Sequence, residues 1–124
     1  MGEHTGPNAF AVRELTVQSG GSFAKFVREA RAALVALRGF FARTQRQYTR
    51  FNYLGEWHSH PSFSVEPSAT DHNSMVVMAR NPEVGATFLV LMVVKLDANE
   101  RLLGSVHLYL PDGTVTSGKL FVQR

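Results

Sequence analysis

His58 and His60 stand one residue apart in the stretch EWHSHPSFSVEPSATD, residues 56–71, which closes on Asp71. Imidazole nitrogen and carboxylate oxygen are donors that zinc takes from proteins, at about 2.0–2.1 Å each. On a β-strand, residues i and i+2 face the same way, so the two rings can converge on one ion. The Pro-containing loop would bring Asp71 back to the end of that strand. Three protein ligands with a fourth position left to water is the form of a catalytic zinc site. Such an ion lowers the pKa of its water to about 7 and polarises a carbonyl. A plainer account covers the same residues. Histidines on a polar strand face need no metal, and Ser68-x-x-Asp71 has the form of a capping box, with Asp in place of the usual Glu.

The elements that must hold these residues are legible on both sides. RFNYLGEWHSH, 50–60, reads as a strand that Pro61 ends. Asn52, Leu54, Glu56, His58 and His60 fall on one face, and Phe51, Tyr53, Gly55, Trp57 and Ser59 on the other. Residues 61–68 read as a loop, and a short helix runs from Asp71 to Arg80 until Asn81-Pro82 stops it. The apolar run FLVLMVVK has the length of a strand buried on both faces. LLGSVHLYL, 102–110, alternates, PDG at 111–113 turns the chain, and TVTSGKLFVQ, 114–123, reads as a last strand.

Upstream, FAVRELTV, 10–17, is a plausible strand and QSGGS breaks it. From Ser22 to about Arg46, Phe23, Phe26, Val27, Ala30, Leu34, Leu37 and Phe41 recur at helical steps. Residues 1–9 read as a flexible tail or loop. The order of elements predicts a single α/β domain over 1–124, a mixed sheet with helices packed on it.

Composition fits a soluble, core-forming chain: 124 residues, 44% hydrophobic, and no apolar run long enough to span a bilayer. No secretory signal is visible, and a cytoplasmic location is the expectation. The absence of cysteine excludes disulfides, thiolate zinc sites and cysteine nucleophiles. Net charge is +3, with much of the Arg between Arg28 and Arg50 on the polar side of one helix. That reads as a solvated face, and no nucleic-acid motif accompanies it.

The whole string His58-Ser59-His60-Pro61, ten residues, then Asp71, with Ser68 three before the Asp, closely resembles the JAMM motif. That motif is the zinc signature of the MPN, or Mov34/PAD-1, metallopeptidase family, which includes the prokaryotic JAB proteins. YLGEWHSHP resembles the strand that leads into the site in bacterial members, and the order of elements matches from about residue 10 to the end. The resemblance implies a cytidine-deaminase-like fold, one Zn2+ per chain, and hydrolysis of amide or isopeptide bonds. It implies His58, His60 and Asp71 as the metal ligands and Ser68 as a stabiliser of the oxyanion. It also implies a substrate bond that follows the tail of a ubiquitin-like or sulfur-carrier-like protein.

The family's mechanism requires a glutamate upstream of the histidines, just before a strand of the type G-x-L-x-G, to move a proton from water to the leaving amine. That strand is not found here. Glu3 is the first candidate for the general base, with Glu14 and Glu56 as alternatives. Two expectations follow: a chain that lacks its first strand–helix element, or a catalytically impaired member that keeps its metal site as an interaction domain. A missing first strand would leave a sheet edge open to homodimerisation. His107 is expected to be a polar strand residue, His4 to lie in the tail, and His72 to point away from the ligands. Phe63 and Val65 are the candidates for apolar contact with a substrate chain.

Overall fold

The computed structural model describes residues 1–17, 23–60 and 64–123. The element order is β1 (Gly2–Gly6), β2 (Ala9–Val12), α1 (Phe23–Arg43), β3 (Phe51–Asn52), β4 (Gly55–Ser59), α2 (Ala69–Arg80), β5 (Leu89–Leu96), β6 (Leu102–Tyr109) and β7 (Val115–Gly118). The α/β class expected from the sequence is observed, with two helices and two sheets among the described residues. Contacts divide the chain into two compact units, residues 1–53 and 54–124.

In the first unit, three antiparallel strands lie in the order β2-β1-β3. Residues 1–9, expected as a tail or loop, instead form β1 and the turn into β2. The reason is ionic rather than apolar. Glu3, 9% exposed, accepts from Arg13 beyond β2 and from Arg50 ahead of β3, at 2.7–2.9 Å. One carboxylate in the central strand thereby fastens both neighbours, and two permanently charged guanidinium groups offset its burial. His4, placed in the tail by the sequence, stacks on Phe10 across the same pair of strands, with ring centroids 5.0 Å apart.

The β2 strand stops at Val12, five residues short of the expected end. Glu14 instead receives Arg43, the basic residue of the last turn of α1, at 2.6–2.7 Å. At that end of the helix the buried aromatic is Phe40, edge-on to Phe51, while Phe41 from the expected apolar stripe meets Tyr48. Gln45 and Arg46 adopt positive φ, and the Arg46 N–H returns to the Phe41 carbonyl, which closes the helix as a left-handed C-terminal turn does.

The second unit is a four-stranded sheet of order β4-β5-β6-β7, parallel between β4 and β5 and antiparallel elsewhere. The long strand expected over 50–60 is broken into β3 and β4. Gly55 is the cause. At φ 155° it lies so close to β5 that a Cβ would stand 1.8 Å from the Val90 carbonyl oxygen. The parallel β4–β5 pair needs a crossover, and α2 supplies it.

The buried cluster is Met75 and Ala79 of α2, Leu89, Leu91 and Val93 of β5, and Tyr109 of β6. Each large apolar member contributes about 1.5–3 kcal/mol by leaving water. Only this face of β5 is fully buried. Val90, Met92 and Val94 on the other face are intermediate, so the expectation of burial on both faces is half met. The last strand is shorter than expected and ends at Gly118.

Candidate metal centre

Register places the site residues. β4 pairs with β5 so that Glu56 lies beside Leu91 and His58 beside Val93. Glu56 and His58 thus share the face that α2 covers. His60 lies just past β4, and its backbone N–H extends the ladder to the Val94 carbonyl at 2.9 Å. Its side chain is buried, with the residue 6% exposed.

Asp71 comes from the first turn of α2. Ser68 caps the helix: its hydroxyl accepts from the Asp71 N–H, and its own N–H donates to Asp71 Oδ2, each at 3.0 Å. The capping box read from the sequence is therefore present, and it does more than start a helix. It fixes the direction of the carboxylate. Asp71 Oδ1 lies 2.9 Å from His58 Nδ1, and Oδ2 lies 3.3 Å from His60 Nε2. The structure brings His58, His60, Ser68 and Asp71 together.

Burial alone would raise the Asp71 carboxyl. The Ser68 backbone N–H, its hydroxyl contact and the neighbouring His58 outweigh it and hold the group below the usual carboxylate range. The helix N-terminus favours the same charged form.

The hydrogen bonds also assign a tautomer. His60 Nδ1 is 3.0 Å from the Ser64 carbonyl oxygen. A carbonyl only accepts, so Nδ1 carries the proton and Nε2 faces Asp71. Nε2 stands 3.3 Å from Asp71 Oδ2, where one cation could take both atoms as ligands. An N–H held by a backbone carbonyl is also how metal-bound histidines are oriented. Two atoms bound to zinc at about 2.0–2.1 Å and a tetrahedral angle lie about 3.3 Å apart, which compares with the 2.9 and 3.3 Å between Asp71 and the rings. The donor set fits zinc. As the side chains stand, though, the rings turn onto the carboxylate, and among the described residues no group of three or more is already arranged around one ion point.

The remaining candidates lie elsewhere or do other work. Glu56 approaches His58 Nε2 at 3.4 Å, on the face expected for it. Glu3 belongs to the first unit, where the Arg50 and Arg13 hydrogen bonds hold its carboxyl below the ordinary value. Phe63 falls outside the described residues. Val65 is half-buried and packs against the buried cluster. His72 contacts the buried Tyr109 hydroxyl through Nδ1 at 3.2 Å. His107 is the strand residue expected, and its Nε2 lies 2.9 Å from Ser105 Oγ, which itself bonds the Val65 carbonyl. Sequence reasoning missed the Ser64 carbonyl and Ser105. The only available signal was Ser105 and His107 alternating onto one face of β6.

The profile of a family described as prokaryotic homologs of the JAB domain matches residues 6–107. The searches of curated proteins and of solved structures gave no match. Among the described residues, no helix is long and apolar enough to cross a membrane.

Proposed function

The chain belongs to the prokaryotic JAB-domain family, and from that premise we propose that it is a zinc metallopeptidase or isopeptidase of the JAMM class. Its proposed substrate bond is the amide or isopeptide that follows the extended tail of a ubiquitin-like or sulfur-carrier-like protein. The observation that carries the reading is the Asp71 carboxylate, capped by Ser68 and placed within 2.9 and 3.3 Å of two imidazoles.

His58, His60 and Asp71 would hold one Zn2+. The ion would polarise the scissile carbonyl and bring the pKa of water to about 7. Asp71 arrives ionised and aimed by Ser68. His60 presents Nε2 because Ser64 holds Nδ1–H. The Ser68 hydroxyl accepts in the cap through a lone pair, which leaves its hydrogen to donate to the developing oxyanion. Removing a donor of that kind costs about a hundredfold or more in turnover.

Glu3 is the proposed proton carrier, and its surroundings set the condition. The Arg13 and Arg50 pairs hold its carboxylate in the charged form, which opposes that role. That observation supports a second reading, a catalytically impaired interaction domain that keeps the metal site. A fusion of a ubiquitin-like protein to a short peptide after its Gly-Gly tail separates the two. The enzyme reading expects cleavage that a chelator, His58→Ala and Asp71→Ala each abolish, and that Glu3→Gln suppresses. Binding of the fusion without cleavage in the unaltered chain, persisting in His58→Ala, supports the second reading. Cleavage that survives both the chelator and His58→Ala contradicts the first.

A further inference from the structure

Two consecutive carbonyls in the loop between β4 and α2 are anchored from opposite sides. Ser64 O accepts from His60 Nδ1 at 3.0 Å. Val65 O accepts from the Ser105 hydroxyl on β6. That hydroxyl spends its single hydrogen on Val65, so it offers only lone pairs to His107, and His107 Nε2 must be the donor across their 2.9 Å contact. The run is therefore directional: His107 N–H to Ser105, Ser105 O–H to Val65, and His60 N–H to the adjoining Ser64.

The sheet fixes the far end of this run. Ser105 pairs with Val93, which pairs with His58, and His107 pairs with Leu91, which pairs with Glu56. The two β6 residues therefore share the face of the metal centre. Val93 and Leu91, the residues between, are fully buried. The peptide joining Ser64 to Val65 is planar. With the Val65 carbonyl held and its side chain packed on the buried cluster, only the Val65 φ rotation separates the Ser64 carbonyl that aims His60 from an anchored residue.

We propose that Ser105, seconded by His107, is a positioning residue of the metal centre: it holds Val65 by its carbonyl so that the adjoining Ser64 carbonyl keeps His60 Nε2 directed at the ion. The inference rests on the reading of His58, His60 and Asp71 as ligands. Partners that orient a metal-bound histidine are worth about 10–100-fold in affinity. Ser105 acts through one further bond, so about tenfold is expected.

The test measures zinc affinity of the full chain by competition with a chromophoric chelator, together with the visible spectrum of the Co2+-loaded protein. Ser105→Ala should bind zinc about tenfold more weakly and change the Co2+ band, while Ser105→Thr, which keeps the hydroxyl, should restore both. A merely structural role for Ser105 would lower stability and leave the Co2+ band in place. Should Ser105→Ala fail to fold, His107→Phe removes the donor to Ser105 and should weaken zinc about threefold with the same spectral change. Affinity within about twofold and an unchanged band in the variant that folds would overturn the inference while leaving the metal centre intact. No metal uptake by the unaltered chain would overturn the ligand reading beneath it, and this inference with it.

Discussion

Each unit carries a carboxylate of low exposure between two basic side chains, and the two differ in what those side chains are. Glu3 lies between Arg13 and Arg50. Asp71 lies between His58 and His60. A guanidinium keeps its charge at any pH a protein meets, so the Glu3 cluster is electrically complete by itself. An imidazole is a neutral lone-pair donor over much of the physiological range. The Asp71 cluster brings two imidazole nitrogens to a carboxylate, a donor set that a divalent cation would complete on taking the place of the His58 proton. The same geometry serves as a clamp between strands in one place and as a ligand set in the other.

The largest expected effect concerns the strand that carries the ligand set. Gly55→Ala forces a Cβ to within 1.8 Å of the Val90 carbonyl and should cost about 4 kcal/mol or more, read by urea denaturation. A near-neutral result would mean that β4 does not pair with β5 in this register. Next comes the ligand set itself. Asp71→Ala should weaken zinc binding by about a hundredfold or more, and Glu3→Gln should leave it unchanged. Equal losses would erase the distinction between the clusters.

Ser68→Ala should combine two smaller effects: about 1 kcal/mol of helix stability from the lost cap, and about a tenfold loss of zinc affinity from the loosened Asp71. If thermal stability falls while zinc affinity stays, the cap does not aim the carboxylate.

The smallest effect is a pH dependence in the first unit. The Glu3 carboxyl is held below its ordinary value, chiefly by the hydrogen bonds from Arg50 and Arg13. Its stabilising contribution is therefore fully present above the ordinary glutamate pKa of about 4.3 and is lost as pH falls through the lower folded value. The difference in melting temperature between the native chain and Glu3→Gln should be constant from about pH 6 to 8 and shrink only as pH falls below about 4.3. A difference that instead changes between pH 6 and 8 would assign Glu3 a different partner.

The second unit was the more legible in sequence, for a physical reason. The ligand string and the helix cap are local patterns, and the alternation in β6 and the apolar run of β5 report burial directly. The first unit's hairpin was not legible, because GEHTG carries little strand propensity. What makes it a strand is Arg50, far along the chain, reaching Glu3. The close approach of Gly55 to Val90 was hidden as well, since it is a tertiary fact. Within the site, residue types named Asp71 and the two histidines, but the Ser64 carbonyl that sets the His60 tautomer has no side-chain signature.

The most direct test of the account is the zinc content of the purified full chain by elemental analysis, repeated on His58→Ala. The account predicts about one zinc per chain after incubation with the metal at neutral pH, and its loss in the variant. No zinc in the native chain, or the same content in both proteins, would contradict it.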